Sequence, residues 1–522
     1  MSTGAPPAAG PEVRSRGPWL VAVVVAMAAF MEILDTSIAN VALPHIAGNL
    51  AVSNEESTWV LTSYLVSNAI ILPISGWIAG AVGRKRFFLT CISLFTLSSL
   101  LCGLAPSLPF LLGARILQGL GGGGLQPMAQ AILADTFTPQ QRGMAFALYG
   151  ITAIIAPTIG PTLGGWITDA YTWRWIFLIN LPVGFLAVFL VRRLIEDPPY
   201  LEGLRHAGVR FDYIGVGLLV LGVGALQVML DKGQEEDWFA SPFIVTLALV
   251  ATVCLIALVI WEWHAANPII DVRLFRNSNF LSANVMMFIL GVLLFSSVVM
   301  MPQFLQTALG YTAERAGLVL SGGAIVMMIT MPTVGRLTAK VQARYLVAFG
   351  WFCLAAAMFY TTTRLDLLVS FTSMTWLSVI QRVGLAFLFV PISMVAYVGL
   401  PPEANNSVAG IVNFGRNIGA SVGTSLVTTM IARRALFHQA ILTEHATAAN
   451  TTFPQTIDAL TGRLMQLGAA AHDAQTQAYA LVYRALQAQA AALAYIDTYW
   501  LLAIGASIMC GLSLFLRKNI AR

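Results

Sequence analysis

The sequence predicts an all-α polytopic membrane protein, and three observations carry that prediction. Of the 522 residues, 57% are hydrophobic and 10% are charged, against about a quarter charged in a soluble domain. Mean hydropathy is +0.77. Apolar segments about as long as a bilayer core requires recur at 19–43, 57–79, 87–105, 108–134, 141–166, 174–191, 213–231, 241–263, 278–301, 314–334, 343–361, 367–396, 406–432 and 494–516.

That makes fourteen spans. Residues 1–18 form a Pro/Gly/Ala-rich tail with Arg14 and Arg16 just before span 1. The apolar run that follows is too long for a signal-peptide core, so it is an uncleaved first span. Basic residues then set the orientation. Arg84, Lys85, Arg86, Arg142, Arg192, Arg193, Arg205, Arg210, Arg273, Arg276, Arg336, Lys340, Arg344, Arg517 and Lys518 fall on the side of the N-terminus. The opposite short loops hold little beyond Arg174, Lys232, Arg315 and Arg364. Both termini are therefore expected in the cytoplasm. The net charge of +5 and pI near 9.0 reflect these loops and give no reason to expect nucleic acid.

Span 1 carries Glu32 and Asp35, three residues apart and so leaning toward one face. A carboxylate at the bilayer centre costs at least about 2.5 kcal/mol and usually faces a bundle interior or cavity. A packed structural acid is one reading; a proton or cation site is the other. Depth suggests a partner. Asp35 in span 1 and Arg115 in span 4, which runs the opposite way, both lie roughly 10–12 Å below the outer surface at 1.5 Å per residue. A buried arginine needs a counter-charge, and Asp35 or Glu32 stands at a suitable level. A permanent bridge and a pair that parts on protonation are both consistent with this. Gln118, Asn40 and, deeper, Gln126 are the expected hydrogen-bonding neighbours and candidate substrate contacts.

Gly119 to Gly124 satisfies GxGxxG, but it follows no strand and lies inside a span, so close helix packing explains it better than a dinucleotide. No Lys-Ser/Thr follows it, so no ATP site is expected. The cysteines (Cys91, Cys102, Cys254, Cys353, Cys510) lie in apolar segments without a CxxC pair, and the histidines show no metal-ligand spacing. No metal, no cofactor and no catalytic constellation is expected. Residues 433–493 lie outside between spans 13 and 14. They are rich in Ala, Gln and Thr, with a Tyr479/Leu482/Tyr483/Leu486 stripe, and predict a helix or helical hairpin that serves as a docking surface.

Several motifs resemble a known family. Gly76 to Arg86, with Gly83 and Arg84 at its turn, is similar to the loop between helices 2 and 3 of the major facilitator superfamily, although the usual Asp is Gly80 here. RILQG (115–119) resembles its RxxQG motif. APTIGPTLGG (156–165), with Pro157, Gly160, Pro161, Gly164 and Gly165, resembles its antiporter motif. LDTSIANVALP (34–44), WRWIFLINLP (173–182) and NFGRNIGASVGT (413–424), with Asn413 and Arg416, resemble the fourteen-helix drug:proton antiporters of the EmrB type. The resemblance covers nearly the whole chain.

It implies two six-helix bundles with an inserted helix pair. The expected bounds are an N-terminal bundle at 19–210, the pair at 211–265, the first five helices of the second bundle at 266–432, the outer loop at 433–493, and the last helix and tail at 494–522. It further implies proton-coupled efflux of lipophilic compounds from a bacterial inner membrane, driven by the proton gradient, with Glu32, Asp35 and Arg115 as coupling residues. A periplasmic adaptor and an outer-membrane channel would be the partners. Asn413 and Arg416 are expected to hold the second bundle as readily as to take part in transport. A narrow exporter of fatty acids or a siderophore is the first alternative. A symporter, a membrane-embedded enzyme and a sensor are weaker ones.

Overall fold

The computed structural model describes residues 17–198, 212–447 and 450–514. The tails with Arg14, Arg16, Arg517 and Lys518, and the linker with Arg205 and Arg210, lie outside the described residues, so the expected placement of the termini is not addressed by them.

The N-terminal half comprises α1 (Pro18–Leu50), α2 (Asn54–Val82), α3 (Arg84–Gly103), α4 (Leu108–Gly122), α5 (Leu125–Thr136), α6 (Pro139–Ala170), α7 (Trp175–Leu178) and α8 (Asn180–Leu194). Two helices follow, α9 (Tyr213–Lys232) and α10 (Pro242–His264). The C-terminal half comprises α11 (Ser278–Thr307), α12 (Ala313–Leu337), α13 (Ala343–Arg364), α14 (Phe371–Val395), α15 (Asn405–Glu444) and α17 (Ala471–Ser513), with the short α16 (Thr452–Gln466) before the last. No strand occurs among the described residues.

Taking α7 and α8 together as one segment, Trp175–Leu194, twelve segments among the described residues are long and apolar enough to cross a membrane unaided. The remaining two expected spans are helical but depart from that pattern. Segment 108–134 is divided into α4 and α5 at Gly122 to Gly124, and α15 is 40 residues long and dilutes its apolar side chains with Asn405, Asn406, Asn413, Arg416 and Asn417. Residues 433–493 consist of the end of α15, α16 and the first turns of α17.

One buried apolar core runs through both halves. In the first, α1 lies on α6, α2 on α4, and α3 on α4 and α8; in the second, α11 lies on α15, α12 on α14, and α13 on α14 and α17. The seam between halves is made by α6 with α12, and by α2 and α5 with α15. The pair α9–α10 docks outside that seam: Leu219 and Val223 of α9 join Ala69 and Ile74 of α2 and Ile418 of α15 in one buried cluster. Only 17% of the apolar stretch of α10 is buried, which leaves most of it for lipid.

Backbone approach explains the motif glycines. A Cβ on Gly76 would stand 2.6 Å from the Ser407 Cα, so α2 and α15 cross at a distance only glycine permits. Gly83 has φ of 102°, a conformation L side chains rarely adopt. In α6, Pro161 has no N–H to offer the carbonyl of Pro157, and the Ser37 hydroxyl of α1 donates to that oxygen at 3.3 Å. Gly160 and Gly164 let α1 come this close, since their Cβ atoms would strike Ser37 and Ile38, whereas Gly165 faces open space. The glycines of 119–124 likewise face other helices: a Cβ on Gly121 would lie 2.7 Å from the backbone nitrogen of Phe95.

Side chains bridge the seam at the end where α2 meets α3. Arg84 pairs with Asp135 of α5 and donates from Nε to Asn406 of α15 at 2.7 Å. Asn405 donates to Asp135 at 2.5 Å. A Cβ on Gly335 would lie 2.7 Å from the Gly143 carbonyl oxygen, so α6 and α12 are in backbone contact there too. Gly80, which stands where the family motif has an acid, has nothing near its Cβ position, and the acid of this latch is Asp135.

Candidate functional site

Two buried polar clusters hang from the two carboxylates of α1. Asp35 is 2% exposed and Arg115 is fully buried. Arg115 Nη1 donates to Asp35 Oδ2 at 2.6 Å and to Gln118 Oε1 at 2.7 Å, and its Nε donates to the Val60 carbonyl at 3.0 Å. The other carboxylate oxygen accepts from Gln118 Nε2 at 2.9 Å and Asn180 Nδ2 at 2.7 Å. Ser99 accepts from both amides and donates to the Phe177 carbonyl at 2.9 Å. Asp35 is thus held by α4 and α8 as well as by its ion pair. Such a pair is stable in a low dielectric only because its remaining lone pairs are occupied.

Glu32, 3% exposed, sits about one helical turn toward the N-terminal end of α1, and among the described residues its hydrogen-bond partners are all neutral. Its Oε1 accepts from the Tyr64 hydroxyl at 3.0 Å and from Asn68 Nδ2 at 3.0 Å; its Oε2 accepts from Gln126 Nε2 at 2.5 Å. Gln126 passes the connection on. Its Oε1 accepts from Tyr149 at 3.2 Å and from Arg416 Nη2 of the opposite half. Arg416 also donates to Asn413 Oδ1 at 3.0 Å, and Asn413 donates to Gln130 at 2.8 Å, so a second polar link crosses the seam. Gln126 and Gln130 reach the seam because α5 restarts after the glycine break and turns them toward α15.

Tyr64 joins the clusters. Its ring lies 4.2 Å from the Arg115 guanidinium while its hydroxyl serves Glu32. The guanidinium also lies 5.5 Å from the Phe177 ring, and its Nη2 has no hydrogen-bond partner among the described residues.

The expected residues therefore take distinct places. Asp35, Arg115 and Gln118 come together, Glu32 and Gln126 form the second cluster, and Arg416 with Asn413 reaches across from the C-terminal half. Asn40 is exposed on α1 and touches neither cluster. Tyr64, Asn68, Ser99, Tyr149 and Asn180 complete the site and were not singled out from the sequence. Asn180 lies within the WRWIFLINLP motif, which was the available signal. No cluster of His, Cys, Asp and Glu suited to a metal ion occurs among the described residues.

Comparison with known proteins follows this geometry. The family model described as Major Facilitator Superfamily matches residues 25–424. The multidrug export protein EmrB of Escherichia coli K12 is 38% identical over 431 residues, 83% of this chain and 83% of that protein. The fatty acid resistance protein FarB of Neisseria gonorrhoeae is 36% identical over 438 residues, 84% of this chain and 85% of its own. Among solved structures, the human organic anion transporter MFSD10 (TETRAN) superposes with a TM-score of 0.56 at 13% identity, covering 94% of this chain and 99% of that one. At that identity the likeness concerns the fold alone.

Proposed function

The chain belongs to the Major Facilitator Superfamily, and from that premise we propose that it is a multidrug exporter: it moves amphipathic, lipophilic compounds out across a bacterial inner membrane in exchange for protons. Transporters of this kind alternate access by rocking one bundle against the other. The observation that carries the reading is the chain of contacts from Glu32 through Gln126 to Arg416, because it ties a buried carboxylate to the opposite half.

The ionised Glu32 accepts three hydrogen bonds and fixes the Gln126 amide with its nitrogen toward α1 and its oxygen toward Arg416. A proton on Glu32 removes an acceptor lone pair, frees the amide to turn, and loosens the hold of Arg416 on the first half. Asp35 has a different task. With Arg115 against it and two amides on it, it keeps α1, α4 and α8 in register beside the switching acid. A proton entering from outside therefore weakens the seam and favours opening to the cytoplasm. Loss of the proton, in competition with an incoming cationic or lipophilic compound, restores the closed inner side. The pairing of acid with drug in opposite phases is antiport.

The outer extension fits a partner. Leu436 and Phe437 are exposed on α15, Leu467 in the turn before α17, and Tyr479 and Tyr483 on α17, and we assign that surface to a periplasmic adaptor leading to an outer-membrane channel. A narrower exporter of fatty acids is the second reading, supported by the 36% identity to the FarB protein.

The test is proton release from energised inverted membrane vesicles on adding lipophilic cations and uncouplers. Release in wild type that is lost in Glu32→Gln supports proton-coupled export. Absence of release from wild type with every lipophilic cation, together with release on adding fatty acids, selects the narrow exporter.

A further inference from the structure

The C-terminal half has no carboxylate inside its first five spans: between 278 and 432 the only acids are Glu314, Asp366 and Glu403, all at helix ends or in loops, and Asp497 of the last helix is taken by Arg434 and His438. It nevertheless buries two arginines. Arg416 is satisfied by Gln126 and Asn413. Arg382 is not satisfied in the same way. It stands in α14 about 16 Å from the outer end of that helix at 1.5 Å per residue, near mid-depth, and is 6% exposed. Its hydrogen bond among the described residues runs from Nη1 to Thr158 Oγ1 at 3.1 Å, across the seam to α6, and no carboxylate there pairs with it.

Around it the polar groups are unusually idle. Arg382 borders a cavity of about 10 Å³ together with Ser297, Ser378, Gln381, Met301 and Leu385. The hydroxyls of Ser297 and Ser378 are buried and without a hydrogen-bond partner among the described residues. An intramembrane guanidinium held by one neutral hydroxyl carries a cost that a structural role does not explain, and two unused donors beside it point the same way.

We propose that Arg382, with Ser297 and Ser378, recognises the anionic head group of an amphipathic substrate such as a long-chain carboxylate. This rests on the exporter reading and adds a substrate class to it. In the closed seam the cavity admits no more than one water, and Thr158 occupies the guanidinium. Thr158 belongs to the other half, so parting the halves removes it and frees a planar fork that matches a carboxylate in two parallel hydrogen bonds. Met301, Leu320 and Leu385 supply the apolar wall for the chain behind the head group. The exporter then carries acids for cations on one half and a base for anions on the other.

The experiment uses the full-length protein in two ways. In proteoliposomes with an imposed pH gradient, dodecanoate and tetraphenylphosphonium are the probes, in wild type, Arg382→Gln and Arg382→Lys. The ratio of dodecanoate to tetraphenylphosphonium transport is expected to fall at least tenfold in Arg382→Gln and less in Arg382→Lys, which keeps the charge without the fork. Calorimetric binding of dodecanoate to the purified protein is expected to weaken about tenfold in Arg382→Gln, and this holds whether or not wild type transports either probe. Transport of neither probe by wild type with Arg382-dependent binding would overturn the exporter reading and leave the subsite standing. An unchanged ratio with unchanged binding would overturn the subsite. So would Arg382-dependent binding of chloride, measured against gluconate, with none of dodecanoate, since that marks a site for a free inorganic anion.

Discussion

The ring of Tyr64 lies 4.2 Å from the Arg115 guanidinium, and through that one side chain the Asp35 ion pair and the Glu32 cluster share a wall. Tyr64→Phe keeps the stack and removes one of the three donors on Glu32. A hydrogen bond to a charged group contributes about 1.5–3 kcal/mol. Substrate-evoked proton release is expected to fall about tenfold or more while folding is retained. Tyr64→Leu, which also removes the stack, is expected to lose fold stability as well, read as a lower melting temperature in detergent.

The two acids should fail differently. Glu32→Gln removes the switching proton and leaves a neutral group able to hydrogen-bond its neighbours, so the protein is expected to fold and bind a lipophilic cation without coupling it to proton movement. Asp35→Asn leaves Arg115 buried without a counter-charge, and breaking such a pair costs about 3–5 kcal/mol. The double variant Asp35→Asn with Arg115→Gln is expected to recover part of that stability without recovering transport. Thermal unfolding beside vesicle proton release checks both statements.

How far could the chain be read without its structure? Depth along a membrane normal is one coordinate, and residue counting fixes it, which is why Asp35 and Arg115 could be set at one level in advance, with Gln118 one turn below. The second coordinate, rotation about each helix, is weakly encoded in an apolar segment. Asn40 shows this: five residues from Asp35 it is about 140° round the helix, and it is exposed. Arg416 shows the third difficulty. Its span runs within the second bundle, and nothing local tells that α5 breaks at glycine and presents Gln126 to it. The motif glycines were legible as close-packing sites, and the structure names their neighbours in α1 and α15.

Gly76 tests the inner seal. Its Cβ would stand 2.6 Å from the Ser407 Cα, and forcing even one methyl group into a packed contact costs about 1–3 kcal/mol. Gly76→Ala is expected to fold but to populate the inner-open arrangement. Labelling of a cysteine placed at Ser407 by a membrane-impermeant maleimide in inverted vesicles would rise severalfold. Unchanged labelling would mean that the contact is not part of the seal.

The α1–α6 contact allows a compensation test. A Cβ on Gly160 would strike the Ser37 side chain, so Gly160→Ala is expected to abolish transport and lower the melting temperature by several degrees. Adding Ser37→Gly makes room for the methyl but leaves the Pro157 carbonyl without its donor. The double variant should therefore regain part of the stability, read by thermal unfolding, and less of the transport rate.

The central claim is that the proton on Glu32 controls the seam, and pulsed EPR distances test it most directly. Spin labels at Val82 and Glu403, one in each half at the end that holds the Arg84–Asp135 pair, report opening of the seam there. In wild type the distance distribution is expected to shift to longer values as pH falls. In Glu32→Gln it should be long at every pH, and in Arg416→Gln likewise, because the Gln126 link is cut from the other side. A Glu32→Gln protein that keeps the wild-type pH response would contradict the account and place the controlling proton elsewhere.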